Sequence, residues 1–127
     1  MKRSTQIIRG KLDGTLLTFK FPVDPSVIEV AVSAKEPFVS TTIYGDGRLI
    51  IKEVPRGVLI RGTPLPNYDV IPLRDLGKKN FSQILRRGFS ELTIVLNGVE
   101  DFKNHLYVTR DLSISKERIV PPQRRKR

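Results

Sequence analysis

The stretch FVSTTIYGDGRLIIKEV, residues 38–54, holds the clearest fold signal in the sequence. Its turn residues Gly45-Asp46-Gly47 separate two segments rich in β-branched and apolar side chains, and this arrangement favours a hairpin of antiparallel strands. Thr41 and Thr42 raise the β propensity of the first segment. We therefore expect the fold to be built from hairpins.

Turn-forming residues recur along the whole chain, which contains nine glycines and nine prolines among its 127 residues. Short strands between frequent turns are typical of an all-β sandwich or barrel. Asp13-Gly14 predicts a second hairpin, formed by residues 5–12 and 15–21. Further strands are expected at residues 27–33, 58–60, 68–71, 91–97 and 104–110.

One short helix is expected near residues 81–87. Asn80 can serve as its N-cap, with Gln83 completing a partial capping box, and Gly88 supplies a C-terminal stop. The apolar residues that share one face of this helix are Phe81, Ile84 and Leu85. The sequence therefore predicts a mostly β fold, a small antiparallel β-barrel or sandwich of about eight short strands with this one helix.

The positive charge is concentrated at the ends of the chain. The net charge is +10, and the last twelve residues carry half of it. Pro121-Pro122 blocks regular structure there, and the terminal Arg-Arg-Lys-Arg run has nothing to bury. We therefore expect a single β-rich domain at residues 1–115 and a basic, flexible C-terminal arm at residues 116–127.

Catalysis and metal binding find little support in the residue types. The chain has no cysteine, which excludes disulfides, thiolate metal sites and a cysteine nucleophile. Its one histidine, His105, cannot form a histidine-rich metal site, and no nucleophile, base and orienting group can be assembled around it. Gly45-Asp46-Gly47 joins two strands, whereas a dinucleotide-binding loop joins a strand to a helix. We expect a non-enzymatic protein with no cofactor, no metal and no small-molecule substrate.

Membrane insertion and export are not expected either. No apolar run in the sequence approaches the ~20 residues that a membrane-spanning helix needs. The start of the chain does not resemble a signal peptide, because it turns polar again after Ile7 and Ile8. Together with the absence of cysteine, these features predict a cytoplasmic protein that does not bind membranes.

Basic side chains form the candidate binding site. One group brackets the expected helix, and its members are Lys78, Lys79, Arg86 and Arg87. A second group follows the hairpin turn, and its members are Arg48, Lys52, Arg56 and Arg61. Tyr44 can stack on a base beside them. The arm adds four cations, which are Arg124, Arg125, Lys126 and Arg127. The alternative interpretation is that these charges only solvate the protein surface.

These charges favour nucleic acid, either DNA or RNA, as the partner, because a basic body with a basic arm attracts phosphate groups. The expected function is therefore nucleic-acid binding through phosphate contacts. A second hypothesis is a structural or assembly protein of viral or phage type. Such a protein forms homo-oligomers through its β domain, and its arm contacts nucleic acid or a neighbouring subunit. A third hypothesis is an adaptor whose arm binds an acidic protein or membrane surface, although stable membrane attachment requires a second, apolar signal.

Overall fold

A computed structural model describes residues 2–62, 69–100 and 103–114 of the chain. Within these residues the protein forms nine strands and two short helices, which confirms the mostly β fold. In chain order the elements are β1 (Arg3–Arg9), β2 (Lys11–Asp13), β3 (Leu16–Pro22), β4 (Val27–Ser33), β5 (Ser40–Gly45), β6 (Arg48–Pro55), α1 (Arg56–Ile60), β7 (Val70–Pro72), α2 (Phe81–Leu85), β8 (Glu91–Asn97) and β9 (His105–Asp111).

The strands form two antiparallel sheets that pack face to face around one core. Sheet A has four strands in the order β1-β9-β4-β7, and sheet B has five in the order β2-β3-β8-β5-β6. Neither sheet closes on itself. Of the two expected architectures, barrel and sandwich, the protein therefore adopts the sandwich, and each sheet retains two edge strands.

Alternating apolar residues along the central strands build the core. Sheet B contributes Leu17, Phe19, Phe21, Leu92, Ile94 and Leu96, and sheet A contributes Val30, Val32, Leu106 and Val108. Each such side chain stabilises the fold by about 1.5–3 kcal/mol when it is removed from water. The hydrophobic pattern of the sequence therefore decides which face of each sheet is turned inward.

The first predicted strand is divided in two at Gly10, which corrects the expected pairing of residues 5–12 with residues 15–21. β2 and β3 do form the hairpin at Asp13-Gly14, but β1 belongs to sheet A and pairs with β9. A Cβ atom at Gly10 would lie 2.8 Å from Cδ1 of Leu17 and 2.9 Å from Cε1 of Phe19. Glycine is therefore required where the backbone passes from one sheet to the other directly over the core.

Residues 58–60, which the sequence predicts as a strand, instead lie in helix α1. This helix contacts both β6 and β7, the edge strands of sheets B and A, and thus covers one open side of the sandwich. Leu59 is buried there. The free energy gained by burying Leu59 outweighs the local β preference of Val58 and Ile60. Tertiary contacts often override such local preferences.

The second helix begins where the sequence predicts, but it ends at Leu85, two residues earlier than expected, and its cap differs. α2 buries Phe81 and Ile84, and the chain leaves it through Gly88 at φ 83°. The Asn80 side chain accepts a hydrogen bond from the Ser82 N–H at 2.9 Å, one residue earlier than the expected capping box. The helix start is therefore capped, but by a different bond.

Candidate nucleic-acid interface

One end of the sandwich is organised by Asp46, in the turn between β5 and β6. Its carboxylate accepts hydrogen bonds from the backbone N–H groups of Ser90 at 3.0 Å and Glu91 at 2.9 Å. The Asp46 N–H donates to the Glu91 carbonyl at 2.9 Å, and the Val23 N–H donates to the Ser90 carbonyl at 2.8 Å. These bonds join three segments into what we term the hairpin end, which comprises residues 22–26, 45–48 and 86–91.

Three of the expected contact residues, Arg48, Arg86 and Arg87, lie at the hairpin end. The Arg87 guanidinium lies 4.8 Å from the centroid of the Phe89 ring, a distance at which an aromatic face attracts a cation. Phe89 packs over Gly45, where a Cβ atom would lie 2.6 Å from the ring, and Arg48 pairs with Gly45 across the hairpin. The structure thus unites members of both groups that the sequence suggested.

Acidic groups offset much of the charge at the hairpin end. Three carboxylates lie in the same segments as the three arginines, and they belong to Asp24, Asp46 and Glu91. Asp111 also reaches this end, where its N–H donates to the Ser26 carbonyl at 2.8 Å. Hydrogen bonds from the Ser113 hydroxyl and N–H lower the pKa of Asp111, so this carboxylate stays ionised. The Arg110 guanidinium also reaches this end, since it donates to the Pro22 carbonyl at 2.9 Å. Four arginines thus accompany four carboxylates, and the hairpin end is close to neutral.

The remaining residues of the second group are spread along β6 and α1, and Arg61 directly follows α1. Arg48 begins this strand and Arg56 follows its last residue, so the two lie at opposite ends of the sandwich. The Arg56 guanidinium lies 5.5 Å from the centroid of the Phe38 ring. Lys52 and Tyr44 line a shallow groove of about 330 Å³ on the outer face of sheet B. The structure does not gather this group into one patch.

The four basic residues around α2 bracket the helix, as expected, but they lie in two different surroundings. Lys78 and Lys79 belong to the turn before α2. In that turn Gly77 adopts φ 85° and approaches helix α1. Arg86 and Arg87 follow α2 and lie at the hairpin end. The two lysines and the two arginines therefore lie in separate places on the surface.

The four arm residues expected to contact nucleic acid, Arg124, Arg125, Lys126 and Arg127, lie outside the described residues. So does the expected domain boundary between residues 115 and 116. The described chain leads toward the arm from the hairpin end, where the Leu112 N–H donates to the Lys2 carbonyl at 2.7 Å. The last described residues of the chain therefore lie at the same end of the sandwich as Arg86 and Arg87.

A larger basic surface surrounds Gly10, where the chain passes from sheet A to sheet B. Two adjoining concavities of about 450 Å³ and 490 Å³ meet there, and Arg9 and Gly10 line both. We term the basic side chains of their walls the basic corner, and they are Arg9, Lys11, Lys20, Lys35, Lys103 and His105. None of the lysines and arginines among them was expected from the sequence to be a contact residue.

Strand pairing and one buried amide hold the basic corner in place. Arg9 is the register partner of His105 across the β1–β9 pair, so their side chains lie on the same face of sheet A. Asn104 is fully buried, accepts a hydrogen bond from the Glu36 N–H at 2.8 Å and donates one to the Glu36 carbonyl at 2.9 Å. This clamp fixes the turn that carries Lys35 against the start of β9, next to His105.

The basic corner keeps a clear excess of positive charge. Asp13 lines the second concavity, and the Glu36 carboxylate lies 3.5 Å from the Lys103 ammonium. Because these two carboxylates offset two of the five lysines and arginines, the corner has a net charge of +3 with His105 neutral. Its members come from four separate stretches of sequence, so neither a charge run nor a spacing pattern reveals them.

Among residues 2–62, 69–100 and 103–114, no group of three or more histidine, aspartate or glutamate side chains is arranged to hold a metal ion. No helix in these ranges is long and apolar enough to cross a membrane. Comparison of the chain with protein-family models, curated proteins and solved structures finds no match.

Proposed function

We propose that the protein binds nucleic acid without catalysing a reaction, and that the basic corner makes its principal phosphate contacts. The observation that carries this proposal is the convergence of five lysines and arginines on two adjoining concavities. A polynucleotide presents negative charges in a row, and its attraction to such a surface is independent of base sequence. The basic corner has the larger excess of positive charge, whereas the hairpin end is nearly balanced.

Three of the residues expected from the sequence, Arg86, Arg87 and Tyr44, supply further contacts in this proposal, whereas Lys78 and Lys79 do not. Arg86 and Arg87 contact phosphates at the hairpin end, and the basic arm increases the rate at which the polymer is encountered. Tyr44, in the groove on the outer face of sheet B, offers a ring on which an unpaired base can stack. The proposal is compatible with the cytoplasmic location expected from the sequence.

The proposal is tested by salt titrations of binding to duplex DNA, single-stranded DNA and RNA. Replacing Lys11 and Lys20 by alanine should weaken binding to all sequences alike. It should also flatten the slope of log K against log salt by about 1.4–1.8 units, because each lost phosphate contact removes roughly 0.7–0.9. The matched control replaces Lys78 and Lys79 by alanine. This removes the same charge from the turn before α2, away from the basic corner, and should change the slope much less. If none of the three polymers binds at low salt, the proposal is wrong.

A second candidate function, assembly through the β domain, is favoured by the geometry of edge strand β1. The Leu112 N–H donates to the Lys2 carbonyl, which continues the β1–β9 register by one pair. In an antiparallel ladder, residue pairs that exchange backbone hydrogen bonds alternate with pairs that do not. Thr5, Ile7 and Arg9 therefore turn their backbone N–H and C=O groups away from β9 and toward solvent.

β1 is also the least protected edge among the described strands. Its Ile7 side chain is 60% exposed. β6, the other long edge, is interrupted by register irregularities and by Glu53 at φ 49°, and β2 and β7 have only three residues each. Because a regular, open edge is a template for strand pairing, this candidate implies β1–β1 pairing between two copies of the protein.

The mass of the protein in solution separates the two candidates. Assembly without nucleic acid supports the second candidate, whereas a monomer that binds nucleic acid supports the first. Ile7→Pro removes an N–H group that faces solvent, so it should abolish self-association with little loss of stability. Gln6→Pro, whose N–H bonds within sheet A, should instead lower the melting temperature. An Ile7→Pro variant that still associates would exclude pairing through β1.

A further inference from the structure

We propose that the concavity between Arg9, Lys35, Lys103 and His105 binds a phosphate monoester, carried either by the end of a polynucleotide or by a free nucleotide. The inference rests on the proposed function, because it assigns a distinct ligand group to one half of the basic corner. We term this half the phosphate pocket.

Charge favours a monoester over an internal phosphodiester. Three cations line the phosphate pocket, and Glu36 offsets one of them through its 3.5 Å ion pair with Lys103, which leaves a net charge of +2. A phosphate monoester carries about −1.5 to −2 at neutral pH, whereas each internal phosphate of a polynucleotide carries a single negative charge. The monoester therefore matches the pocket, and the diester leaves one positive charge unmatched.

The side chains of the pocket also present suitable hydrogen-bond donors. Arg9 offers a planar fork of N–H groups that matches two phosphate oxygens. The His105 ring carries a donor N–H in either protonation state, and its backbone is fixed because its N–H donates to the Ser33 hydroxyl at 2.7 Å. Each residue type in the wall, apart from glycine, can thus donate to phosphate.

The shape of the pocket leaves room for more than the phosphate group. Gly10 contributes to the wall without a side chain that could project into the pocket, since a Cβ atom there would point toward Leu17 and Phe19 in the core. The volume of about 450 Å³ lies in the range of small-molecule sites. The sugar that carries the phosphate can therefore enter with it, whether it belongs to a chain end or to a free nucleotide.

The experiment uses His105 as a reporter, since it is the only histidine in the chain and its ring signals need no further assignment. Two oligonucleotides of one sequence, one with a 5′-phosphate and one with a 5′-hydroxyl, are titrated at constant ionic strength and followed by NMR. We expect the phosphorylated oligonucleotide to bind about tenfold more tightly, or ~1.4 kcal/mol, because each exposed charge pair adds a few-fold. At saturation it should shift the His105 signals further than the hydroxyl form does.

Two charge-matched variants test the location of the site. Lys35→Gln should reduce the affinity ratio of the two oligonucleotides from about tenfold to about threefold, because one of the charge pairs is lost and Arg9 remains. Lys52→Gln removes the same charge from the groove on sheet B and should leave the ratio unchanged. Circular dichroism of both variants checks that the fold is retained.

Adenosine monophosphate alone distinguishes the two sources of the phosphate group. A saturable His105 shift with the mononucleotide assigns the pocket to free nucleotides as well, and a shift only with the phosphorylated oligonucleotide assigns it to chain ends.

Equal affinities and equal His105 shifts for the two oligonucleotides would overturn this inference and leave nucleic-acid binding intact. Failure of both oligonucleotides to bind at low salt would overturn the proposed function. If the mononucleotide then also leaves the His105 signals unchanged, the phosphate pocket is excluded too.

Discussion

Gly10 links the packing of the core to the candidate site. Its missing side chain leaves room for Leu17 and Phe19, which are both fully buried. The residues on either side of it, Arg9 and Lys11, both belong to the basic corner. A change at this one position therefore acts on stability and on the candidate site together.

Replacing Gly10 by alanine should destabilise the protein by about 1–3 kcal/mol, because the added methyl group overpacks the core. Gly57→Ala is the matched control. A Cβ atom at Gly57 meets nothing within 4 Å, and this helical position should gain roughly 0.5–1 kcal/mol from alanine. Urea unfolding measures both changes. Unchanged stability of Gly10→Ala would show that the backbone between β1 and β2 can move away from the core at little cost.

Individual elements of this fold are short and are held in place by polar links between them. The β5–β6 hairpin is the clearest case, because Asp46 bonds it to the chain on either side of Ser90. Asp46 also adopts φ 50°, a conformation that asparagine and aspartate tolerate better than other residues with a side chain. The position of Arg48 relative to Arg86 and Arg87 depends on this link.

Asp46→Ala should therefore cost about 1–2 kcal/mol, the range observed when a side chain that accepts from backbone N–H groups is removed. Asp46→Asn keeps one acceptor oxygen and tolerates the positive φ, so it should cost clearly less. Hydrogen exchange measures the effect locally, and the amides of Ser90 and Glu91 should lose protection in the alanine variant only. Equal protection in the two variants would mean that the carboxylate does not hold the hairpin.

At the scale of the whole molecule, charge and hydrophobic burial are separated in space. The apolar residues lie between the sheets, while the excess positive charge lies at the basic corner and, in the sequence, at the C-terminal end of the chain. An exposed cluster of charge raises the rate at which an oppositely charged partner is encountered more than it lowers the rate of dissociation. The charge of the arm should therefore act mainly on the association step.

Replacing Arg124, Arg125, Lys126 and Arg127 by glutamine should slow association with nucleic acid at low salt and leave dissociation nearly unchanged. Stopped-flow fluorescence measures both rates. The difference from the wild-type protein should shrink as salt screens the charges, over a Debye length of about 10 Å at 0.1 M ionic strength. A variant that mainly dissociates faster would show that the four residues make lasting contacts.

Local patterns in the sequence were sufficient to predict the positions of most strands. The predicted ranges 27–33 and 91–97 match β4 and β8, because an alternating pattern specifies both a strand and its buried face. The same local reasoning was wrong at residues 58–60, where burial of Leu59 between two sheet edges favours a helix. It also missed the division at Gly10, because a strand that bends over a core has the same local pattern as one that continues.

The amino-acid sequence by itself determined the fold class, the hairpin at residues 45–48 and the balance of charge, since these depend on nearest neighbours and on composition. The choice of a sandwich over a barrel was decided only by tertiary structure, because it depends on which strands pair across long stretches of chain. The same is true of the basic corner. Arg9 lies 96 residues from His105 along the chain, and only the pairing of β1 with β9 makes them neighbours.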